Sequence, residues 1–385
     1  MAMKLKHKIA LISTHPIQYN APFFRLLAEH NEIELKVFYS WGEKAIESKF
    51  DPDFGRVIKW DIPLLESYNH HFTRNTAKKP GSDHFWGIIN PDLISEIKEF
   101  KPDVIWVWGW SFYSHLQVMR SFKGKIPIWF RGDSTLLDES NGFSFRKFAR
   151  RRLLNWVYLH VNKVFSVGTN NSEYFIKHGV KKENIILAPH AVDNLRFLKE
   201  SNKTKLDLKE KRKSIGIDSN KFVLLYAGKL EEKKNPFFFL EVCKRMKNTD
   251  VTGLIIGNGK LESSLKKNAE NILFLDFQNQ SKMPSFYNLG NLFVLPSIGP
   301  GETWGLAMNE SLACGVPVAA SIHCGGSVDL INENNGFIFD PNDGVDSFID
   351  KLTNFRKQAS TNYRDEFLQK FNYQRMVDAV IKELN

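Results

Sequence analysis

Residues 295–321 read LPSIGPGETWGLAMNESLACGVPVAAS, and this stretch decides the fold. A buried strand ends at Pro296-Ser297, and a loop rich in glycine and proline follows it. We expect a helix at Gly305–Cys314, because Gly315 favours a helix end and Pro317 cannot continue a helix. The segment therefore predicts one strand–loop–helix unit of a parallel α/β sheet.

The loop and the helix each carry one carboxylate. Glu302 lies in the loop, and Glu310 lies well inside the helix. The unpaired amides at Trp304, Gly305 and Leu306 and the positive end of the helix dipole suit a diphosphate. The Glu310 carboxylate, which only accepts hydrogen bonds, suits ribose hydroxyls. The alternative is an ordinary helix, with Glu302 on its capping loop and Glu310 on its exposed face.

Short β-rich runs alternate with helical patterns along most of the chain, which predicts parallel sheets covered on both faces. The predicted strands are Lys8–Ser13, Ile33–Tyr39, Asp103–Val107, Ile126–Phe130, Lys163–Val167, Asn184–Ala188, Phe222–Ala227, Thr252–Ile256, Asn271–Leu275, Asn291–Leu295 and Val316–Ser321. The predicted helices include Ala21–Glu29, Asp92–Phe100, Ser172–His178, Pro236–Met246 and Lys260–Ala269. The fold class is therefore α/β.

We expect two Rossmann-like domains, residues 1–190 and 191–371, because the pattern restarts after a polar segment. That segment, Asp193–Asp218, has the composition of a linker or a surface helix. A closing amphipathic helix at about 372–385 packs back on the first domain. Ligands of such sheets lie outside the carboxyl ends of the strands.

Composition restricts the class of protein. The 385 residues exceed one ordinary domain, and 42% are hydrophobic, which excludes a disordered chain. The net charge of +10 suggests an anionic partner: nucleic acid, a phosphate-bearing small molecule or an acidic membrane. Lys and Arg exceed Asp and Glu by 27 to 19 in residues 1–190 but by 26 to 24 thereafter. The surplus therefore belongs mainly to the first half.

The cysteines and the hydropathy indicate a cytoplasmic chain. Cys243, Cys314 and Cys324 are odd in number and lack zinc-ligand spacing, so we expect no disulfide framework. The Lys-rich start is followed by no long apolar stretch, so we expect no signal peptide. The charge-free stretch Met283–Gly301 is interrupted by Pro284 and other polar or turn residues and does not suit a membrane span.

The stretch at 295–321 closely resembles the signature of retaining glycosyltransferases of family 4, which have the GT-B fold. That signature is Glu-x-Phe/Trp-Gly-Leu, then Glu, then Ala-Cys-Gly-x-Pro-Val. Its counterparts here are Glu302, Trp304, Gly305, Leu306, Glu310, Ala313, Cys314, Gly315, Pro317 and Val318. Asn309 and Ser311 depart from the usual Leu-Glu-Ala around the second carboxylate. Gly325-Gly326 also fits the family, whereas Ser327-Val328-Asp329 replaces its Pro-Glu continuation.

A second segment agrees with the resemblance. Gly228-Lys229-Leu230 and Lys234 follow a predicted strand, so they place two cations at the carboxyl end of the sheet. The family has Gly-Arg/Lys-Leu and a lysine here, which implies that Lys229 and Lys234 offset the charge of the leaving diphosphate. The alternative for this segment is a solvated charge run, EEKK, to which Lys233 fits well.

Two further turns match the family. Gly257-Asn258-Gly259 corresponds to its Gly-x-Gly turn, a weak signal because any tight strand-to-helix turn favours glycine. The segment around Phe277 falls at the loop that binds the base in the family. The resemblance thus implies donor contacts from Gly228, Gly257, Phe277, Trp304, Gly305, Leu306 and Glu310.

The first half matches the family more loosely. Its first loop resembles a subgroup with His-Pro-Ile-Gln-Tyr, which makes His15 and Gln18 candidates on the acceptor side. A structural histidine that caps the helix Ala21–Glu29 is the alternative for His15. Many relatives place a histidine where this chain has Arg131-Gly132-Asp133. Arg131 suits a phosphate and Asp133 suits a sugar or acceptor hydroxyl; a structural ion pair between them is the alternative.

Two other features carry weaker hypotheses. Asp51-Pro52-Asp53 resembles the Asp-x-Asp metal site of the other large glycosyltransferase fold, but it lies in a predicted loop, so we expect no metal there. Ser144–Val161 combines basic and aromatic residues in a predicted helix. Such a helix either lies on an anionic membrane or packs in the core with a solvated basic edge.

The residues and the resemblance together predict a GT-B enzyme with two domains that face each other across a cleft. It would move a glycosyl unit, with retention, from a UDP- or GDP-sugar to a carbohydrate or lipid-linked acceptor hydroxyl. Glu302, Lys229, Lys234, Arg131 and Asp133 would be catalytic, without metal or cofactor. We expect a role in surface polysaccharide or glycolipid synthesis. The alternatives are a GT-B epimerase or phosphorylase and a basic nucleic-acid-binding protein.

Overall fold

The computed structural model describes residues 6–46, 49–51, 56–139, 142, 144–358 and 363–385. The strands are, in chain order, β1 His7–Ser13, β2 Ile33–Tyr39, β3 Lys49–Asp51, β4 Arg56–Ile58, β5 Asn69–Phe72, β6 Val104–Trp108, β7 Ile128–Arg131, β8 Lys163–Ser166, β9 Ile185–Leu187, β10 Phe222–Ala227, β11 Val251–Ile256, β12 Ile272–Leu275, β13 Leu292–Leu295, β14 Val318–Ser321 and β15 Gly336–Phe339.

Helices follow most of these strands. In chain order they are α1 Ala21–Glu29, α2 Leu93–Phe100, α3 Tyr113–Phe122, α4 Phe145–Tyr158, α5 Thr169–Lys177, α6 Asn194–Leu206, α7 Leu208–Ser214, α8 Pro236–Arg245, α9 Glu262–Lys267, α10 Met283–Tyr287, α11 Leu306–Ala313, α12 Ser327–Leu330, α13 Gly344–Gln358, α14 Tyr363–Lys370 and α15 Tyr373–Leu384. Among the described residues, none of these helices is long and apolar enough to cross a membrane.

The chain divides into two compact units. The first holds the described residues of 1–47, 63–189 and 373–385, and the second holds those of 48–62 and 190–372. The sequence did not predict that residues 48–62 join the second unit. Their attachment is visible where Asn279 Nδ2 donates to the Lys59 carbonyl at 2.6 Å and the Ser281 amide donates to Asp61 Oδ1 at 3.1 Å.

The first unit is built on a parallel sheet with the strand order β5-β2-β1-β6-β7-β8-β9. Its central strands β1, β6, β7 and β8 are largely buried, as expected of a parallel sheet with helices on both faces. The order reverses between β1 and β6, so the loops after these two strands diverge at the carboxyl edge. The predicted Rossmann-like architecture is confirmed here, and β5 is an edge strand that the sequence pattern did not reveal.

The second unit repeats this plan with the parallel order β12-β11-β10-β13-β14-β15. The reversal lies between β10 and β13, whose register pairs Leu224 with Leu292. The helices α6 and α7 show that the segment 193–218 is not a linker. Arg212 of α7 is buried, and its guanidinium donates to the Leu289 carbonyl at 2.8 Å.

The closing helix α15 belongs to the first unit and packs on α1. Its buried face consists of Tyr373, Met376, Val377 and Val380, and the Tyr373 hydroxyl donates to the Tyr19 carbonyl at 2.9 Å. The helix α15 is therefore an integral part of the core of the first unit.

We expect Met376→Ala to lower the free energy of unfolding by about 2–5 kcal/mol, because it removes a buried side chain and leaves a cavity. The matched control is Asp378→Ala on the exposed face of α15, with an expected change within about 0.5 kcal/mol. Urea denaturation followed by circular dichroism measures both. Equal effects of the two substitutions would contradict the packing of α15 described above.

Candidate active site

The predicted donor-side residues gather at one edge of the second sheet. Four neighbouring strands, β12, β11, β10 and β13, end there side by side. Phe277 follows β12, Gly257 follows β11, Lys229 follows β10 and Glu302 follows β13. Because all four strands are parallel, residues far apart in the sequence reach the same edge.

The turns after β10 and β11 are in close backbone contact. A Cβ atom on Gly257 would lie 2.1 Å from the Gly228 carbonyl oxygen, and the φ of Gly257 is +141°. A Cβ atom on Gly259 would likewise lie 2.6 Å from the Leu230 nitrogen. The Leu230 amide donates to the Asn258 carbonyl at 3.0 Å, which fixes one turn on the other. The glycines of this segment, a weak signal in sequence, are therefore required by geometry.

Lys234 and Glu302 form an ion pair at this edge. Lys234 ends a short 3-10 turn after β10, and its amine donates to Glu302 Oε2. The same oxygen accepts from the Ser297 hydroxyl at 3.0 Å. The two charged side chains are only 23% and 11% exposed, so the pair is largely shielded from water. Lys233 instead pairs with Glu231 and is 46% exposed, so the solvated-run interpretation fits Lys233 but not Lys234.

Tyr226 supports the turn that carries Lys229. Its hydroxyl donates to the Lys229 carbonyl at 2.8 Å. Burial raises the pKa of Tyr226 well above its ordinary value, and the negative charges of Glu302 and Glu231 raise it further. The Tyr226 hydroxyl therefore stays protonated and donates this hydrogen bond to the loop.

The segment before α11 is fixed by backbone hydrogen bonds from Gly325 and Gly326. The Gly325 amide donates to the Glu302 carbonyl at 2.9 Å, and the Gly326 amide donates to the Trp304 carbonyl at 3.0 Å. Gly305, at φ +89°, caps the helix in the left-handed conformation. The Met308 amide donates to the Gly305 carbonyl at 2.8 Å, which begins the helix. The binding of an anion by the amides at Trp304, Gly305 and Leu306 stays a prediction.

Asn309, which departs from the family signature, holds Trp304 in place. Trp304 is buried, and its indole nitrogen donates to Asn309 Oδ1 at 2.7 Å. Asn309 Nδ2 in turn donates to the His190 carbonyl at 3.2 Å. A leucine could not make either bond, so the departure has a structural role. The local signal was a run of three polar residues, Asn309 to Ser311, between apolar ones.

Glu310 is buried rather than solvent-exposed, so the alternative with Glu310 on an exposed face is wrong. Its Oε2 accepts from the Tyr287 hydroxyl at 2.8 Å, and its Oε1 accepts from Gln280 Nε2 at 3.2 Å. Arg196 donates to Gln280 Oε1 at 3.0 Å. No local pattern could reveal these partners, because Tyr287 and Gln280 lie 23 and 30 residues away from Glu310.

The loop that contains Phe277 is positioned by Asn258. The Phe277 amide donates to Asn258 Oδ1 at 2.8 Å, while Asn258 Nδ2 donates to Asp276 Oδ1 and Glu262 Oε2 at 3.0 Å. A side chain in the turn after β11 thus orders the turn after β12. Sequence reasoning singled out the flanking glycines but missed this asparagine.

In the first unit, His15 lies in the loop between β1 and α1. Its Nδ1 is 2.9 Å from the Thr14 hydroxyl, and its ring meets the edge of Trp41 at 5.2 Å between centroids. The N-cap of α1 is Asn20, whose side chain makes no capping hydrogen bond. The structural role of His15 at this helix stays a prediction. Gln18 lies in the same loop and is half-buried. Their acceptor-side role stays a prediction.

Arg131 ends β7 and is buried. Its Nη1 donates to the Ala188 carbonyl at 2.8 Å, and the guanidinium lies 5.3 Å from the centre of the Trp108 ring. Burial lowers the pKa of Arg131 to about 10, against which the nearby negative charge of Asp133 acts. These contacts give Arg131 a structural task at the carboxyl edge of the first sheet. Asp133 is exposed, and the catalytic role of both residues stays a prediction.

The described residues contain no group of three or more histidine, cysteine, aspartate or glutamate side chains that could hold a metal ion. In the Asp51-Pro52-Asp53 motif, Asp51 ends the short strand β3, so this part of the motif is not in a loop. Pro52 and Asp53 lie outside the described residues.

The fold is similar to that of several solved structures. The chain resembles a glycosyltransferase structure from Rickettsia africae with a TM-score of 0.70 and 14% identity, over 98% of this chain and 97% of that one. It also resembles Anabaena Alr3699/HepE, solved with UDP and glucose, with a TM-score of 0.65 and 16% identity over 98% and 99% of the two chains. The predicted GT-B fold is thereby confirmed.

Sequence comparison adds one family match and one relative. Residues 207–371 match the family model described as "Glycosyl transferases group 1". A relative from Escherichia coli, UDP-Gal:alpha-D-GlcNAc-diphosphoundecaprenol alpha-1,3-galactosyltransferase, is 28% identical over 281 residues. The alignment covers 67% of this chain and 70% of the relative.

We expect Gly257→Ala to destabilise the second unit by at least about 3 kcal/mol, since the new Cβ meets a carbonyl oxygen as well as an unfavourable φ. Gly216→Ala is the matched control, because Gly216 has φ +84° with nothing within 4 Å of the added atom. Its expected cost is about 1 kcal/mol. Denaturant unfolding of the two variants checks this, and equal losses would contradict the close contact between the turns.

Proposed function

We propose that the protein is a retaining glycosyltransferase that moves a sugar from a nucleoside-diphosphate sugar to an acceptor hydroxyl. The observation that carries the proposal is the convergence of Phe277, Gly257, Lys229, Lys234 and Glu302 on one edge of the second sheet. This edge combines close backbone turns, cations and a carboxylate. Such a combination suits a ligand with both phosphates and hydroxyls.

The donor would bind in the second unit. Lys229 and Lys234 lie in the segment after β10 and offset the charge that develops on the leaving diphosphate. The amides at Trp304, Gly305 and Leu306 contact phosphate or sugar oxygens at the start of α11. In the absence of donor, the Glu302 carboxylate compensates the Lys234 amine. On binding, the diphosphate takes over this compensation and leaves Glu302 to accept from sugar hydroxyls.

Glu310 would hold the ribose. A buried carboxylate is costly unless it is hydrogen-bonded, and Tyr287 and Gln280 provide these bonds while fixing its orientation. In the proposed complex the ribose hydroxyls donate to this oriented carboxylate, whose oxygens can each accept more than one hydrogen bond. Phe277 and Gly257 lie on the two adjacent turns, where backbone groups suit the base.

The names of similar proteins support a UDP-sugar donor ahead of a GDP-sugar. One is a galactosyltransferase that uses UDP-Gal and a diphosphoundecaprenol acceptor, and another was solved with UDP and glucose. We therefore assign the protein to surface polysaccharide or glycolipid synthesis at the cytoplasmic side of a membrane. The first unit would bind the carbohydrate or lipid-linked acceptor, with His15, Gln18 and Asp133 as contacts. Lysine side chains supply the charge compensation, so the proposed reaction needs no metal or cofactor.

Lys234→Ala and Glu302→Ala should each lower the transfer rate at least about 100-fold, because each removes a charge aimed at the transition state or the donor sugar. Lys233→Ala is the matched control, since its amine pairs with Glu231 and is well exposed. Nucleotide release from UDP-sugar in the presence and absence of an acceptor measures the rates. Wild-type turnover in either site variant, with circular dichroism unchanged, would disprove the assignment. Release that does not require acceptor would instead indicate hydrolysis of the donor, and conversion of the UDP-sugar into its epimer without nucleotide release would indicate an epimerase.

Retention has its own test. With an α-linked UDP-sugar, the proposed enzyme should give an α-linked product, and the anomeric proton coupling in the NMR spectrum reports which anomer forms first. Spectra recorded during the reaction distinguish the glycoside product from any free sugar, which interconverts between its two anomers. A β-linked product would leave the transferase assignment standing but would contradict retention.

A further inference from the structure

The helix α4 carries apolar side chains on two opposite faces. Leu154, Val157 and Tyr158 are buried in the core of the first unit. The outward face is also apolar. Its large side chains and their exposed fractions are Phe145 at 78%, Phe148 at 52%, Leu153 at 46% and Trp156 at 40%.

These exposed side chains form one stripe. At about 100° per residue, Phe145, Ala149 and Trp156 fall almost on one line along the helix, with Phe148 and Leu153 on either side. Arg152 lies within this arc, between Phe148 and Phe145, so one cation interrupts the apolar side chains. Leu159, 67% exposed, extends the stripe past the helix end. A surface helix normally has one apolar face and one polar face, and contiguous exposed apolar side chains mark an interaction surface.

The stripe is bordered by positive charge. From Phe145 to Tyr158 the helix has five cationic residues and no acidic one, the cations being Arg146, Lys147, Arg150, Arg151 and Arg152. Arg120 of α3 lies 5.9 Å from the centre of the Trp156 ring, so the positive surface continues onto a second helix. Among the cations of α4, Arg151 pairs with Glu139 at 3.3 Å.

A pocket of about 440 Å³ lies on the other side of α4 and is not part of this surface. Lys147, Arg150 and Arg151 line it together with Asp138 and Glu139. At about 100° per residue these three cations point away from the line of Phe145 and Trp156.

We propose that α4 docks the protein on an anionic lipid bilayer. Phe145, Phe148 and Trp156 enter the boundary between headgroups and acyl chains, while Arg146 and Arg152 pair with lipid phosphates. A bilayer is favoured over a protein partner because the stripe interleaves large aromatic residues with cations and has no acid. The long arginine side chains can keep their charges at headgroup level while their stems cover apolar surface. The inference goes beyond the proposed function and stands independently of it.

Vesicle co-sedimentation tests the docking surface. The full-length protein should bind vesicles that contain phosphatidylglycerol, bind phosphatidylcholine vesicles weakly, and lose affinity as salt increases. The variant Phe145→Ser/Phe148→Ser/Trp156→Ser should bind at least about tenfold more weakly. The matched control is Leu195→Ser/Leu206→Ser, since both leucines are at least 80% exposed and lie on α6 of the second unit. Thermal unfolding confirms that each variant is folded.

A charge variant completes the test. Arg146→Glu/Arg152→Glu should also lower binding at least about tenfold, whereas Lys209→Glu/Lys213→Glu on α7 changes the net charge equally but should have little effect. Failure of the wild-type protein to bind anionic vesicles would overturn the proposal, as would equal binding by the α4 variants and their controls. A dimer in size-exclusion chromatography that the aromatic variant dissociates, without vesicle binding, would show that a second copy covers the stripe instead. None of these readouts depends on transfer activity.

Discussion

At the carboxyl edge of the second sheet, the backbones of Gly228 and Gly257 approach so closely that even a methyl group cannot fit between them. The site depends on this contact, because it sets the turn after β10 directly against the turn after β11. Lys229 and Lys234 then emerge from the first turn, and Asn258 orders the neighbouring loop of Phe277 from the second. A close backbone approach also presents main-chain groups that no side chain screens, which suits a phosphate or a base.

The charges of this edge are arranged around the Lys234–Glu302 pair. Both side chains are largely shielded, and a shielded ion pair gains little net stability because desolvation offsets the attraction. In the proposed function, the pair holds the lysine and the carboxylate in place for the donor. Glu310 is likewise a shielded carboxylate. Tyr287 and Gln280 donate to it, and Arg196 donates to Gln280. These bonds maintain a carboxylate where an apolar residue would be less costly. Part of the polar network of the second unit thus keeps the carboxylates of Glu302 and Glu310 oriented.

Much of this organisation could be predicted from the sequence. The helix α1 and the strands β2 and β10 have the predicted bounds, because their apolar periodicity is strong and their ends carry turn residues. The fold class followed from the alternation, and the motif residues Glu302, Gly305 and Glu310 followed from the resemblance. Edge strands such as β5 were not predictable, since half-exposed residues such as His70 and His71 give no clear pattern.

The pairings that give each residue its task could not be predicted. Asn309 bonds to the His190 carbonyl, which is 119 residues away in the chain. Glu310 bonds to Tyr287 of another helix, 23 residues away. The same applies to Arg131, whose buried bond to the Ala188 carbonyl spans 57 residues. Local propensity contains no information on such contacts. The burial of Glu310 in particular reversed one interpretation of the motif.

Hydrogen–deuterium exchange of the full-length protein with and without UDP tests the central claim most directly, because it reports where a nucleoside diphosphate binds without requiring the sugar or the acceptor. The account predicts slower exchange in the loops that follow β10, β11, β12 and β13, around residues 228–234, 257–259, 276–278 and 301–308, with little change in the first sheet. Unchanged exchange in these four loops at saturating UDP, or protection confined to residues 63–189, would contradict it.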